Sequence, residues 1–245
     1  MWLATHGIIA SSSQVAPPAF SNNFSMEFDG VDDHVTMGNV LDFNKSNSFS
    51  FSCWIKRSST NTEEAILSKI NHTSTFRGYE ISFISNNTFR LLLINSGSST
   101  QLIRRHSSTA ITDTNWHHIV ATYDGSASTS GINLYLDGNL NNGTATGTIS
   151  GDIDNSFPFC IGSRNQSSAF YSGLVDEVSV FNSELSSSDV TAIYNSGTPA
   201  SLSSYSSLVS WWRFEEGSGT TANDSGSGGN DGTITNGATY STDKP

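Results

Sequence analysis

The segment DTNWHHIVATYDGSASTSGINLYLDG, residues 113–138, constrains the fold more than any other part of the chain. Trp116, His118, Val120 and Thr122 alternate with His117, Ile119, Ala121 and Tyr123, and the run stops at Asp124-Gly125. A second run, Ile132–Leu136, stops at Asp137-Gly138. Period-two alternation puts successive side chains on opposite faces of a strand, and Asp-Gly supplies the left-handed backbone of a tight reversal. Two such units in succession predict antiparallel sheet. The same alternation predicts that Trp116 shares a buried face with Val120, so that Trp116→Ala would severely destabilise the domain.

Three further segments carry the same grammar: FDGVDDHV (Phe28–Val35), FSFSCWIKR (Phe49–Arg57) and FYSGLVDEVSVFNSELSSSDVTAIYNSG (Phe170–Gly197). Taken with WHHIVATYDG and LYLDG, these words run in order over residues 25–197 and resemble the laminin-G-like, concanavalin A-like lectin/glucanase domains. The resemblance implies an all-β, two-sheet antiparallel jelly-roll sandwich with one short C-terminal helix. The helix is legible in its own right. Ser186 can cap it, Asp189 stands at the third helical position, and Leu185 with Val190 has the spacing of a hydrophobic staple. Gly197 and Pro199 end it, so a helix over about Ser187 to Asn195 should pack Val190, Ile193 and Tyr194 on the sandwich.

Only 35% of the 245 residues are hydrophobic and 13% charged, with 21 glycines, as expected of many short strands joined by polar turns. Three regions are expected. Residues 1–24, with Ser11-Ser12-Ser13 and Pro17-Pro18, suit an extended N-terminal arm or tether, with a disordered leader as the alternative. Residues 25–200 form the sandwich. Residues 201–245 either pack as extra strands on it or begin a truncated neighbouring unit; the first is favoured, with turns at Asp231-Gly232 and Asn236-Gly237 around a strand from Thr233 to Thr235. Cys53 and Cys160 lie inside strand patterns and are expected to be buried free thiols.

Charge and motifs exclude several functions. The net charge is −11, with 11 Lys plus Arg scattered apart from Arg104-Arg105, so a nucleic-acid backbone would be repelled. No apolar run approaches the ~20 residues that span a bilayer. MWLATHGIIA lacks the basic and apolar regions of a signal peptide, so synthesis in the cytoplasm and release by a non-secretory route are expected. No ExDxxE strand motif and no GxSxG elbow occur. The acidic pairs Asp32-Asp33, Glu63-Glu64, Asp176-Glu177 and Glu215-Glu216 are sequence neighbours, which point to opposite faces in a strand. No catalytic residue is assigned, and His118 is expected to be a hydrogen-bonded sandwich residue.

The resemblance implies room for one calcium ion at the sandwich rim, with Asp32, Asp33 and Asp176 as candidate ligands and turn-capping as their competing role. No set of three or more ligand carboxylates is visible in sequence, so the fold should not require a cofactor. Arg164, where pentraxin-type relatives carry carboxylates, argues against that branch's site. Sugar binding needs rings exposed on loops beside amides. Tyr79, Asn165, Gln166, Phe170 and Tyr171 are the candidates, although a core role suits each ring equally. Trp2, Leu3, Ile8 and Ile9 in the arm are expected to be buried on assembly, in a homo-oligomer or on a scaffold.

The MWLATHGIIASSS leader and the WWRFEEGSGTTANDSGSGGNDGT tail give the chain a resemblance to accessory virion proteins of tailed bacteriophages, notably marine ones. That resemblance implies a non-enzymatic decoration or fibre protein held by a capsid or tail protein, its lectin-like sandwich exposed to host-surface glycan, reaching the virion on lysis. The alternatives are a bacterial carbohydrate-binding or adhesion module at the cell surface or outside the cell, and a glycoside hydrolase.

Overall fold

The structure, a computed structural model, describes residues 20–71, 76–96 and 101–245. Trp2, Leu3, Ile8 and Ile9 lie outside the described residues. In chain order the strands begin with β1 (Ser25–Asp29), β2 (His34–Thr36), β3 (Phe49–Arg57), β4 (Glu64–Asn71), β5 (Arg77–Phe83) and β6 (Phe89–Ile94). They continue with β7 (Leu102–Ser107), β8 (Trp116–Tyr123), β9 (Ile132–Leu136), β10 (Asn139–Leu140), β11 (Asn142–Thr148), β12 (Cys160–Ile161) and β13 (Ser172–Phe181). The helix α1 (Ser187–Tyr194) follows, and then β14 (Leu208–Trp212), β15 (Thr221–Ala222), β16 (Gly232–Thr235) and β17 (Thr239–Ser241).

These strands make two antiparallel sheets. One is eight-stranded, ordered β10-β9-β8-β3-β13-β1-β17, with β14 also paired to β13. The other is nine-stranded, ordered β11-β7-β6-β5-β4-β12-β2-β16-β15. The core lies between them. Phe49, Phe51, Cys53 and Ile55 of β3 meet Ile119, Ala121 and Tyr123 of β8, and face Tyr79, Ile81, Phe83, Leu91 and Leu93 of the second sheet. Both cysteines are free and buried, and burial pushes the Cys160 thiol up to about 11.

Residues 201–245 supply β14 and β17 to the first sheet and β15 and β16 to the second. Trp212 is wholly buried in the main core, so this segment contributes to the core as well as to both sheets. Asn236 adopts φ +66 and Gly237 φ +130 in the reversal after β16.

The outer face of the eight-stranded sheet is also covered. Val120, Tyr135, Phe181, Leu185, Val190, Ile193, Leu202, Leu208 and Trp211 form a second apolar cluster beneath α1. Ser186 and Asp189 form the expected capping box, each bonding to the other's backbone N–H. Trp54, on the Ser50 and Ser52 side of β3, is covered by α1: its ring stacks on Tyr194 at 5.8 Å and lies 5.0 Å from His118. His118 Nε2 and Ser52 Oγ are 2.8 Å apart, and burial pushes the imidazole down to about 3, so it is neutral.

Several expectations are overturned. Trp116 shares a face with Val120, but at the start of its strand it lies beyond the covering cluster; it is half-exposed and donates Nε1–H to Asp243 Oδ1 at 2.9 Å. Tyr79 and Tyr171 lie in the core and present no platform. The Tyr79 hydroxyl donates to the Leu41 carbonyl at 2.8 Å, and Tyr171 packs edge-on against Phe28. Asp176 and Glu177 do not diverge. The β13–β3 register shifts between Asp176 and Ser179, Glu177 takes φ +49, and Val175 and Val178 both face the core, so the two acids share the outer face.

Residues 20–24 dock over that bulge. Phe20 stacks on Trp211, Asn22 Nδ2 donates to Asp176 Oδ2 at 2.9 Å, and Glu215 accepts from the N–H groups of Asn23 and Phe24.

Candidate functional site

The FDGVDD turn between β1 and β2 is the best-built polar feature of the rim. Gly30 is required there: its φ is +79, and a Cβ would stand 2.8 Å from the Cβ of Ser172. Asp29 Oδ1 accepts from the Val31 N–H at 2.7 Å, and Asp33 Oδ2 reaches back to the Asp29 N–H at 3.0 Å. Those two bonds curl the turn so that Asp29, Asp32 and Asp33 bring carboxylate oxygens within 4.8 Å of one another. The second sheet braces it. The Asp32 carbonyl accepts from Asn236 Nδ2 at 3.1 Å and lies 2.9 Å from His34 Nδ1.

Three carboxylates so close repel unless a cation or a proton intervenes. Among the described residues no lysine or arginine pairs with any of them. Asp33 is only 4% exposed and its Oδ1 has no hydrogen-bond partner. Burial, with Asp29 and Asp32 adding to it, holds the Asp33 carboxyl above its usual range. An oxygen-only donor set with an orphaned buried oxygen fits a hard divalent cation such as calcium. The fitting set is Asp29, Asp32 and Asp33. Asp176 is not part of it: fully buried on the outer face, it is held by Asn22, and burial followed by repulsion from Glu177 raises its pKa well above the carboxylate norm.

Beside the turn opens a cleft of ≈ 360 Å³ lined by Asp29, Gly30, Ser59, Thr62, Glu63, Glu64, Phe170 and Ser172. Phe170 gives it an aromatic wall, half-buried and tilted against His34 with ring centroids 6.5 Å apart. Ser59, Thr62 and Ser172 contribute hydroxyls. Glu64 is fixed from below by the buried Arg57 at 3.1 Å, and its other oxygen accepts from Ser59. Arg57 also donates to Asn87 Oδ1 and the Ile111 carbonyl and lies over the Phe83 ring, so this wall is rigid. A groove of ≈ 380 Å³ lined by Phe43, Ser46, Asn47, Ser48 and Asn182 has no titratable side chain and offers less chemistry.

Of the sequence candidates among the described residues, Phe170 lines the cleft, and Asp32 and Asp33 join Asp29 in the adjoining turn. Asn165 and Gln166 occupy left-handed positions in the loop before Phe170, the Asn165 N–H donates to Ser68 Oγ at 3.4 Å, and neither residue lines the cleft. Ala169, the residue before Phe170, is also left-handed at φ +48. Asp29, Ser59, Thr62, Glu63 and Ser172 were not anticipated. Asp29 carried a signal, because Asp at i, i+3 and i+4 around a Gly reversal can converge. The others meet only through pairing of β1 with β13 and β13 with β3.

A family model described as the concanavalin A-like lectin/glucanases superfamily matches residues 29–191. Among solved structures, a candidate carbohydrate-binding protein from Bacteroides ovatus superposes with a TM-score of 0.64 at 16% identity, covering 91% of this chain and 60% of that one. This chain therefore spans 60% of that protein's length. A heptameric SAP-like pentraxin from Limulus polyphemus gives 0.60 at 16% identity, covering 91% and 96%. Domain 4 of AbnA, a GH43 extracellular arabinanase from Geobacillus stearothermophilus, solved with arabinotriose, gives 0.51 at 20% identity, covering 69% and 76%. At these identities the likeness is one of fold. No curated protein matches the sequence. With two thirds of its length under the family model and both sheets in place, the chain belongs to the laminin-G-type family of the concanavalin A-like lectin/glucanases superfamily.

Proposed function

We propose that this protein is a non-enzymatic, lectin-like recognition module whose rim cleft takes a glycan against Phe170. The observation that carries the reading is the convergence at one rim of a half-buried ring, the hydroxyls of Ser59, Thr62 and Ser172, and a three-carboxylate turn without a countercharge. A sugar's C–H face packs on an aromatic wall while its hydroxyls exchange hydrogen bonds with fixed oxygens. Asp29, Asp32 and Asp33 would hold a calcium ion, which supplies positive charge and open coordination positions for hydroxyl or carboxylate oxygens. Two of the similar structures are described in terms of carbohydrate, which supports the reading. The non-enzymatic part is supported by the engagement of the cleft's glutamates, Glu64 being held by Arg57 and Ser59 and Glu63 by Arg90 and Arg164.

Glycan-array binding tests this. The intact chain should bind a defined set of glycans, and Phe170→Ala should abolish that binding without changing the unfolding midpoint. Unchanged binding by the variant would remove the cleft from the account. Calorimetric titration with calcium should show one site, lost in Asp33→Asn.

The finer reading places the module on a tailed-phage particle, as a homo-oligomer attached through its N-terminal arm to a capsid or tail protein. It draws on the leader and tail sequences and is supported by the docking of residues 20–24 on the sandwich. Mass spectrometry of purified particles tests it; absence of the chain from particles would refute it.

A further inference from the structure

The chain carries 22 acidic residues against 11 Lys plus Arg, yet strands β6, β7 and β11 contain no Asp or Glu. Their outer side is correspondingly different from the rest of the surface. On β6 and β7, Arg90 stands opposite His106 and Leu92 opposite Arg104, so both arginines and the histidine share the outer face of the nine-stranded sheet, beside a small apolar cluster of Ile70, Leu92 and Ile94. Arg104 stands opposite Thr146 of β11 and donates Nε–H to its hydroxyl at 3.1 Å.

The acids nearest this strip are already engaged. Glu80 is gripped by Arg164 through two bonds of 2.5 and 2.7 Å, and Glu63 accepts from Arg164 at 2.6 Å and Arg90 at 2.8 Å. Arg104 has no carboxylate partner among the described residues. The two Arg–Glu pairs balance and Glu63 holds Arg90 in place, so the net positive charge of the strip is that of Arg104. Burial, and then repulsion from Arg90 and Arg104, holds His106 below its usual pKa. All three basic side chains are partly exposed, and Thr144 and Thr146 beside them are exposed.

We propose that Arg90, His106 and Arg104, bordered by Thr146, form a subsite for the oxyanion of an acidic sugar, a carboxylate or a sulfate ester, within a glycan that runs from the rim cleft onto the outer face of the sheet. The proposal rests on the glycan reading above. Glu63 connects the two places, since it lines the cleft and also orients Arg90. Arg104, engaged through Nε with Thr146, has no bond from its terminal nitrogens to the described residues and matches an oxyanion in plane, and an oxyanion beside it favours the protonated form of His106. The strip is short and the whole chain is strongly negative, so it suits an isolated acidic group better than the dense phosphate row of a nucleic acid.

The test uses the full chain and three oligosaccharides of equal length: neutral galacto-oligosaccharide, oligogalacturonate and sulfated galacto-oligosaccharide. At least one anionic probe should bind about tenfold or more tightly than the neutral one. Arg104→Gln should bring that ratio to about two or less while leaving neutral binding intact, with His106→Gln as a second, independently folded variant. NMR titration should show the His106 pKa rising on addition of the anionic probe. The two arms identify which oxyanion is preferred. If glycans bind but the ratio is near one, or survives both variants, the subsite is refuted while the rim reading stands. Binding of a duplex DNA oligomer as tight as that of the anionic sugar would refute an acidic-sugar subsite in favour of unspecific charge attraction. No binding of any probe, at the rim or beyond it, would overturn both.

Discussion

Glu177→Gln should remove much of a pH-dependent loss of stability that the bulge in β13 builds into the fold. The carboxyl is buried beside Asp176, accepts from Trp211 Nε1–H at 2.6 Å and has Arg213 Nε 3.5 Å away. Burial pushes it up to about 8 from its ordinary 4.5, and Arg213 and Trp211 only partly oppose the shift. The folded chain therefore keeps a proton that the unfolded chain has released. The stabilisation is fully present below the unfolded value and is lost as pH rises toward the folded one. At about 1.4 kcal/mol per unit, a window of about 3.5 units corresponds to at most about 5 kcal/mol, against a typical domain stability of about 5–15 kcal/mol. Glutamine keeps an oxygen for Trp211 and does not titrate. Urea unfolding at several pH values from 5 to 8.5 should show the wild-type midpoint falling and the variant falling less, with the variant the more stable at the alkaline end. Asp176, raised chiefly by burial, leaves a residual slope. His117, held up by Asp137 against burial, titrates in both proteins and drops out of the difference. Parallel curves for the two proteins would refute the reasoning.

Trp116→Ala should cost about 1 kcal/mol or less, because the half-exposed ring contributes mainly its bond to Asp243, whereas Trp212→Ala should cost about 3–5 kcal/mol as a core truncation; thermal unfolding compares them. Arg164→Met should cost about 3–5 kcal/mol in chemical unfolding, because it strands the fully buried Glu80 without its clamp. Deleting residues 2–18 should leave the unfolding midpoint unchanged, since the contacts of residues 20–24 with Asp176, Trp211 and Glu215 remain; sedimentation and particle occupancy then report whether the deleted arm carries assembly.

The strands and the helix were legible because local rules and tertiary packing agree in them. Alternation in FSFSCWIKR and WHHIVATY survives into β3 and β8, and Ser186 with Asp189 marks the helix start as a capping box does. Failures occur where side-chain direction depends on a partner. Tyr79 is a different case: in RGYEISF, Tyr79, Ile81 and Phe83 alternate with Glu80 and Ser82, so the period-two pattern itself sets the ring on the core face. A single extra residue at Glu177 turns two adjacent acids to one side, which period-two reasoning assigns to opposite faces. The rim cleft collects residues from three separated segments, so Phe170 and the Asp turn could be named while Ser59, Thr62 and Ser172 could not. The outer-face docking of residues 20–24 likewise required the C-terminal strands to be in place.

Chemical-shift mapping of the full chain, titrated with the best ligand from the glycan array in the presence of calcium, tests the central claim most directly. Backbone and side-chain shifts should cluster at Asp29, Gly30, Ser59, Thr62, Phe170 and Ser172. Shifts confined to another face, with those residues unmoved at saturation, would contradict the rim cleft as the recognition site.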